Sequence, residues 1–266
     1  MVKIIAFDLD GTLYDKHKHI DEDTIHKIID FEQKGIVVGI VTGRFYEELG
    51  EVIEKIKLRE YNGFVASSNG LEIHDFLDGE IRRFSRLSKD EVKEAKKHHL
   101  VSYVWQNGGY TMFGVSILDV VKKIFSLIPL DLHYIKSLQK TKFEKDVVLN
   151  EALYDKGCFV GFQIEKFKKM YLEYRFYDVG KFGTELCKKD VGKLEAIRYI
   201  CQKKQVSIFD VMAFGDHGND VDLLASCGYG VAIKNGSAQA KKAAKYISDY
   251  ANNEQGVLRF INSFFV

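Results

Sequence analysis

The sequence predicts an α/β protein, a doubly wound, Rossmann-like parallel-sheet core interrupted by an inserted α+β domain. Three observations carry this. Short apolar runs alternate with helical patterns from Val2 to Ala66, the same alternation resumes near the C-terminus, and the stretch between them changes character and becomes rich in aromatic residues.

Val2 to Phe7 is a continuous apolar run that ends in acidic and glycine residues, as a strand buried on both faces does. Ile25, Ile28 and Ile29 recur at helical spacing, and Gly35 supplies a C-terminal stop. Ile36 to Val41 is a second apolar run. A helix with Leu49, Val52, Ile53 and Ile56 on one face follows, and Phe64 to Ala66 is a third run. The pattern returns with a helix over about Lys193 to Lys203, a strand over Val211 to Phe214, a helical stretch at Asp222 to Ala225 and a strand over Tyr229 to Ile233. Between the halves, Ser88 and Glu91 form a capping box for one helix and Val115 to Leu127 predicts another. The expected division is therefore a core from residues 1–83 and 188–266 with residues 84–187 inserted.

Composition narrows the function classes. In 266 residues, 39 Lys and Arg balance 38 Asp and Glu, spread along the chain, so the basic stripe of a nucleic-acid binder is absent. The N-terminal apolar run is too short for a signal peptide or a membrane span. Cys158, Cys187, Cys201 and Cys227 have neither zinc-site spacing nor a disulfide rationale. A cytoplasmic monomer or homodimer acting on a small molecule, with no nucleic acid and no membrane as partner, is expected.

The chemistry-bearing residues cluster at strand ends. Asp8-Leu9-Asp10-Gly11-Thr12-Leu13 follows the first strand, and a period of two along an extended chain would point both carboxylates the same way. Paired carboxylates call for a cation, and hard oxygen donors suit magnesium. A plain strand-end turn capped by aspartates is the alternative. Thr42-Gly43-Arg44 ends the second strand and offers a hydroxyl and backbone N–H groups to a phosphate, or simply a helix N-cap threonine. Ser67-Ser68-Asn69-Gly70 ends the third, where Asn-Gly also reads as a hairpin turn. Gly215-Asp216-His217-Gly218-Asn219-Asp220 is a second acidic loop after a strand, and neither acidic loop has EF-hand spacing. Lys193 opens an amphipathic helix, where a solvated lysine is the ordinary reading, but phosphoryl transfer needs a fixed cation of that kind.

In this order the motifs resemble those of the haloacid dehalogenase superfamily of phosphatases, and among them the Cof-type hydrolases with a large α/β cap. The similarity continues through Gly230-Val231-Ala232-Ile233-Lys234-Asn235-Gly236 and Asn253-Glu254-Gln255-Gly256-Val257, and departs at Leu194, where the family often has glycine. The resemblance implies Asp8 as nucleophile and Asp10 as general acid and base, with Thr42 and Lys193 on the phosphoryl oxygens. It implies Mg2+ held by Asp8, Asp10 through its carbonyl, and Asp216, with Asn219 and Asp220 in or near the shell. Leu9, Gly11, Thr42, Gly43, Arg44, Asn69, Gly70, Lys193 and Asn219 are the expected substrate and phosphate contacts. The expected activity is hydrolysis of small sugar, nucleotide-like or cofactor phosphates. A phosphomutase of the same superfamily and a non-catalytic phosphate-accepting module are the alternatives.

In the inserted segment, Trp105, Tyr110, Phe113, Tyr134, Tyr171, Tyr174 and Tyr177 read as core packing or as a stacking surface for a substrate ring. Lys142, Lys145 and Lys181 read as solvated or as contacts for an anionic substrate. His98 and His99 read as a surface pair, and Asn235-Gly236-Ser237 as an unmodified loop.

Overall fold

The strand Ile4–Phe7 lies at the centre of an eight-stranded sheet with every residue buried, and its alternation splits the core in two. Ile5 and Phe7 face one apolar cluster, with Ile25, Ile28, Val52, Ile53, Val257 and Ile261. Ile4 and Ala6 face the other, with Leu194, Ile197, Leu223 and Leu224. Each such Val, Leu, Ile or Phe side chain contributes about 1.5–3 kcal/mol when removed from water, so helices are required on both faces. The computed structural model describes residues 1–96, 101–106, 109–114, 142–143, 153–160, 164–179 and 183–265. They form two units, Met1–Phe84 with Val191–Val266, and Ser85–Asp190.

In the first unit the sheet order is Tyr246–Ile247, Tyr229–Ala232, Val211–Gly215, Ile4–Phe7, Val37–Val41, Phe64–Ser67, Glu72–Asp75 and Ile81–Arg83. The first six run parallel and the last two pair antiparallel. Successive strands leave Ile4–Phe7 in opposite directions, which makes a topological switch point beside it, where ligands bind beyond the strand ends of open α/β sheets. Phe7 stands in register with Phe214 and Ile40, so the loops beginning at Asp8, Thr42 and Asp216 emerge side by side.

The helix Glu22–Gln33 starts where the Asp21 side chain accepts the Thr24 N–H (2.9 Å) and stops at Gly35, whose φ of +81° only glycine adopts freely. The predicted second helix is split into a 3-10 turn, Tyr46–Glu48, and Gly50–Lys55. The antiparallel strands Glu72–Asp75 and Ile81–Arg83 were not anticipated. Burial alternates along Glu72–Asp75, with Ile73 and Asp75 inward, while Ile81–Arg83 is an exposed edge.

Glu32, 6% exposed on the inner face of Glu22–Gln33, has no hydrogen-bond partner for either carboxylate oxygen among the described residues. Burial pushes its carboxyl up to about 8, with Glu60 adding to the rise and Lys57 opposing it. A raised carboxyl leaves full stability below the unfolded value near 4.5 and loses it as pH rises through about 8. Glu32→Gln is therefore expected to leave stability unchanged at about pH 4 and to raise it by about 1–3 kcal/mol at about pH 9. Urea melts at the two values check this, and an equal effect at both would contradict it.

In the second unit a six-stranded sheet has the order Tyr174–Val179, Gly183–Lys188, Lys156–Val160, Val101–Gln106, Gly109–Gly114 and Lys142–Phe143, antiparallel except for the last pair. The helices Lys89–Lys96 and Ile164–Met170 supply Val92, Ala95 and Phe167 to a core with Leu87, Tyr154, Phe159 and Leu186. The capping box forms as expected, with the Ser88 N–H donating to Glu91 (2.7 Å) and the Glu91 N–H to the Ser88 hydroxyl (3.3 Å). Tyr171 and Tyr174 pack against this core and donate their hydroxyls to Glu94 and Glu91. Tyr177 lies in the strand Tyr174–Val179, and Trp105, Tyr110, Phe113 and Lys142 also fall in strands. The helix expected over 115–127, together with His98, His99, Tyr134, Lys145 and Lys181, lies outside the described residues.

Candidate active site

At the end of the first strand the chain turns at once. Asp8 closes the strand, its N–H donating to the Phe214 carbonyl (3.0 Å), and Leu9–Leu13 forms a wide turn. The strand therefore ends at Phe7, and the period-of-two argument for Asp8 and Asp10 does not hold. The two carboxylates receive different partners. Asp8 is buried and accepts a hydrogen bond from Lys193 Nζ at 2.6 Å. Asp10 has a half-exposed side chain and is gripped by Arg44, whose Nε and Nη2 donate to Oδ2 and Oδ1 at 2.6 and 2.5 Å. A two-pronged guanidinium–carboxylate pair of this kind fixes orientation as well as charge. The Arg44 guanidinium in turn lies 5.3 Å from the centre of the Tyr14 ring.

Gly11 is required twice over in this turn. Its φ is +79°, and a Cβ there would fall 2.4 Å from Asp216 Oδ2. The bare backbone lets the two acidic loops touch, and the Thr12 hydroxyl donates to Asp216 Oδ1 at 3.2 Å. The Leu9 side chain is buried in the core below.

Lys193 is the first residue of the helix Lys193–Lys204, and its side chain is wholly buried. Its ammonium lies between Asp8 Oδ1 and Asp220 Oδ1, both at 2.6 Å. Burial works against its charge, but Asp220 and Asp8 outweigh burial and its pKa rises. Burial pushes Asp8 up to about 8; Lys193 pulls it back, while Asp220 and Asp216 add to the rise. Asp216 is pushed up to about 6, first by burial and then by Asp220, with Lys193 opposing. Two carboxylates thus share one lysine with a third alongside, an arrangement short of positive charge.

Asp8, Asp216 and Asp220 each offer an oxygen within 4.8 Å of the others, a donor set of hard oxygens that fits a divalent cation. They are not equivalent. Asp220 Oδ1 takes Lys193, and Oδ2 accepts the N–H groups of Asp216 (3.0 Å) and His217 (2.9 Å). Its acceptor capacity is spent on shaping the loop and holding the lysine, which leaves Asp8 and Asp216 as the better ligands.

The second and third strand-end loops are laced together. The Asn69 N–H donates to the Thr42 carbonyl (2.8 Å) and the Ser68 N–H to the Arg44 carbonyl (2.7 Å). Thr42 is not a helix N-cap: its hydroxyl accepts the Arg44 N–H (3.2 Å) in a loop, and the next α-helix begins at Gly50. Asn69 is buried, and its side-chain carbonyl accepts the Asn219 amide at 2.8 Å, so these two expected contacts brace each other. The Asn-Gly turn does connect two antiparallel strands. Gly70 has φ +88°, and a Cβ there would meet the Gly192 carbonyl at 2.4 Å, so it seats the start of the lysine's helix. Gly43 lies against Asn69, 3.2 Å from its Oδ1 to a notional Cβ. Leu194, at the departure from the expected glycine, is buried in the core.

Three positions that sequence reasoning left without a role also join the site. They are Tyr14, Asn235 and Asn252, the last two fastened to the Gly11 and Tyr14 carbonyls. Asn235 stood inside a motif; Asn252 gave no signal, because its partner lies far away in the chain.

Comparison with known proteins gives the family and the fold. The family model for haloacid dehalogenase-like hydrolases matches residues 5–261. The 5-amino-6-(5-phospho-D-ribitylamino)uracil phosphatase YcsE of Bacillus subtilis is 28% identical, with 98% of this chain and 94% of the relative covered. The phosphoglycolate phosphatase of Methanothermobacter thermautotrophicus is 24% identical, with 99% of each covered. Among solved structures, a subclass IIB sugar phosphatase of the same superfamily superposes with a TM-score of 0.77 at 21% identity, covering 99% of each chain. A haloacid dehalogenase-like hydrolase from B. subtilis superposes at 0.75 and 21% identity, covering 98% of this chain and 99% of that one. At such identities the superpositions speak for the fold.

Proposed function

The chain belongs to the haloacid dehalogenase-like hydrolases and is a phosphatase of small phosphorylated substrates, and on that premise we propose that turnover requires magnesium and passes through a phosphorylated Asp8. The observation that carries this reading is the buried lysine shared by Asp8 and Asp220, with Asp216 alongside. Net negative charge gathered at a switch point calls for a cation, and only with one does an anionic phosphoryl group fit beside these carboxylates.

In the first step an Asp8 oxygen bonds to phosphorus as the bond from phosphorus to the leaving oxygen breaks, and Asp10 gives that oxygen its proton. In the second, the Asp10 carboxylate takes a proton from water, the water oxygen bonds to phosphorus, and the Asp8–phosphorus bond breaks to release inorganic phosphate. Lys193 and Thr42 offset charge on the phosphoryl oxygens. Arg44 orients Asp10 and is assigned here to the acid and base, not to the phosphate. A magnesium ion would be held by Asp8, Asp216 and the Asp10 carbonyl, and would supply the positive charge the carboxylates lack.

In this proposal residues 1–83 and 188–266 carry the chemistry, since every charged group named above belongs to them, and 84–187 choose among sugar, nucleotide-like and cofactor phosphates. The two relatives named above differ in their substrates, a ribitylaminouracil phosphate and phosphoglycolate, so a panel spanning those classes is the appropriate test. Phosphate release across the panel is expected with Mg2+ and expected to fall at least about 100-fold with excess chelator, returning when Mg2+ is restored. Equal rates with and without chelator would overturn the metal requirement. Formation of an isomer without phosphate release would point to a mutase.

A further inference from the structure

We propose that Asn235 is a positioning residue that sets the span between the Asp8 and Asp216 loops and thereby the affinity for the divalent cation, an inference that rests on the function proposed above. The Asn235 side chain touches one side of that span and its neighbours in the loop touch the other. Its Nδ2 donates to the Gly11 carbonyl at 2.8 Å, holding the turn that carries Asp10 and Thr12. Its own loop is fastened to the other side: the Ser237 N–H donates to the Asp216 carbonyl at 2.8 Å, and the Ile233 N–H to the Gly215 carbonyl at 3.2 Å. Gly236 packs so closely that a Cβ there would lie 3.1 Å from the Asp216 carbonyl oxygen.

The amide is itself held. Asn235 Oδ1 accepts the Asn252 N–H at 2.9 Å, and Asn252 Nδ2 donates to the Tyr14 carbonyl at 2.7 Å. The two asparagines therefore grip the turn at its middle, Gly11, and just past its end, Tyr14, while the backbone around Asn235 grips Asp216. The loops are also tied at their base by the Asp8 N–H to the Phe214 carbonyl and by Lys193 between Asp8 and Asp220, but Gly11 leaves no side chain between them further out, where the Thr12 hydroxyl and the Asn235 amide make the contacts. A cation that needs both loops at once is sensitive to that separation, and groups that orient metal ligands from behind typically change affinity 10- to 100-fold when removed. With Asn235 solvent-exposed, an effect near the lower end is expected.

The test is isothermal titration calorimetry of Mn2+ into the full-length protein without substrate, for the native chain, Asn235→Ala and Asn252→Ala, with thermal melts in chelator to establish that each is folded. Binding about 10-fold weaker in Asn235→Ala and about 3-fold weaker in Asn252→Ala, with unchanged melts, is the expected result. Native-like Mn2+ affinity in folded Asn235→Ala overturns the inference and leaves the proposed function standing. Should Asn235→Ala not fold, native-like affinity in Asn252→Ala overturns it instead. No Mn2+ binding by the native chain overturns the metal requirement and this inference together.

Discussion

Asp8→Asn is expected to lower phosphate release by about 10^4-fold or more while leaving the fold intact. The estimate follows from losing covalent catalysis outright: an amide cannot open the route through a phosphorylated side chain, and removing a nucleophile in other hydrolases costs of this order or more. Structure should survive because the backbone N–H of residue 8, which donates to the Phe214 carbonyl, is untouched, and an amide oxygen still accepts from Lys193. A steady-state assay of inorganic phosphate beside a melt of the same sample checks both halves. Residual activity within about 10-fold of native would remove Asp8 from the nucleophile's place.

Lys193→Met has the second largest expected effect, and it strikes stability as well as rate. The methionine fills similar volume but leaves Asp8 and Asp220 facing each other with no charge between them. Stranding a buried charge in this way costs about 3–5 kcal/mol. Asp220 cannot turn away, since its other oxygen accepts the N–H groups of Asp216 and His217. The variant is expected to unfold at correspondingly lower urea and to lose at least about 100-fold in rate, with a divalent cation recovering stability more than activity. A variant as stable as the native chain would mean that the lysine does not neutralise the pair.

The reaction class was legible because phosphoryl-transfer groups stand at strand ends, and strand ends can be read from short apolar runs. Val2 to Phe7 announced Asp8, Ile36 to Val41 announced Thr42, and Val211 to Phe214 announced Asp216. Pairings across the chain were not legible. Arg44 gripping Asp10, Asn219 bracing Asn69 and Gly70 making room for Gly192 each join residues far apart in sequence, and nothing in composition or spacing encodes them. The turn at Asp8 was only the alternative reading, since a strand running three residues further, through Asp10, would have served the same pattern. Glu32 shows a different limit. Periodicity alone gives no reason for a carboxylate on the inner face of an amphipathic helix, and only the packing around it reveals its burial.

The central claim is that Asp8 carries the phosphoryl group between two half-reactions, and the direct measurement is to trap it. Asp10→Asn should slow the second step more than the first when the leaving group is a good one, such as an aryl oxygen, that departs without a proton. Rapid acid quench of that variant after mixing with an aryl phosphate and Mg2+, followed by peptide mass spectrometry, is expected to find the peptide containing Asp8 phosphorylated, and unphosphorylated when Asp8→Asn is added. Phosphate release by the native protein with no phosphorylated peptide at any quench time would contradict the account.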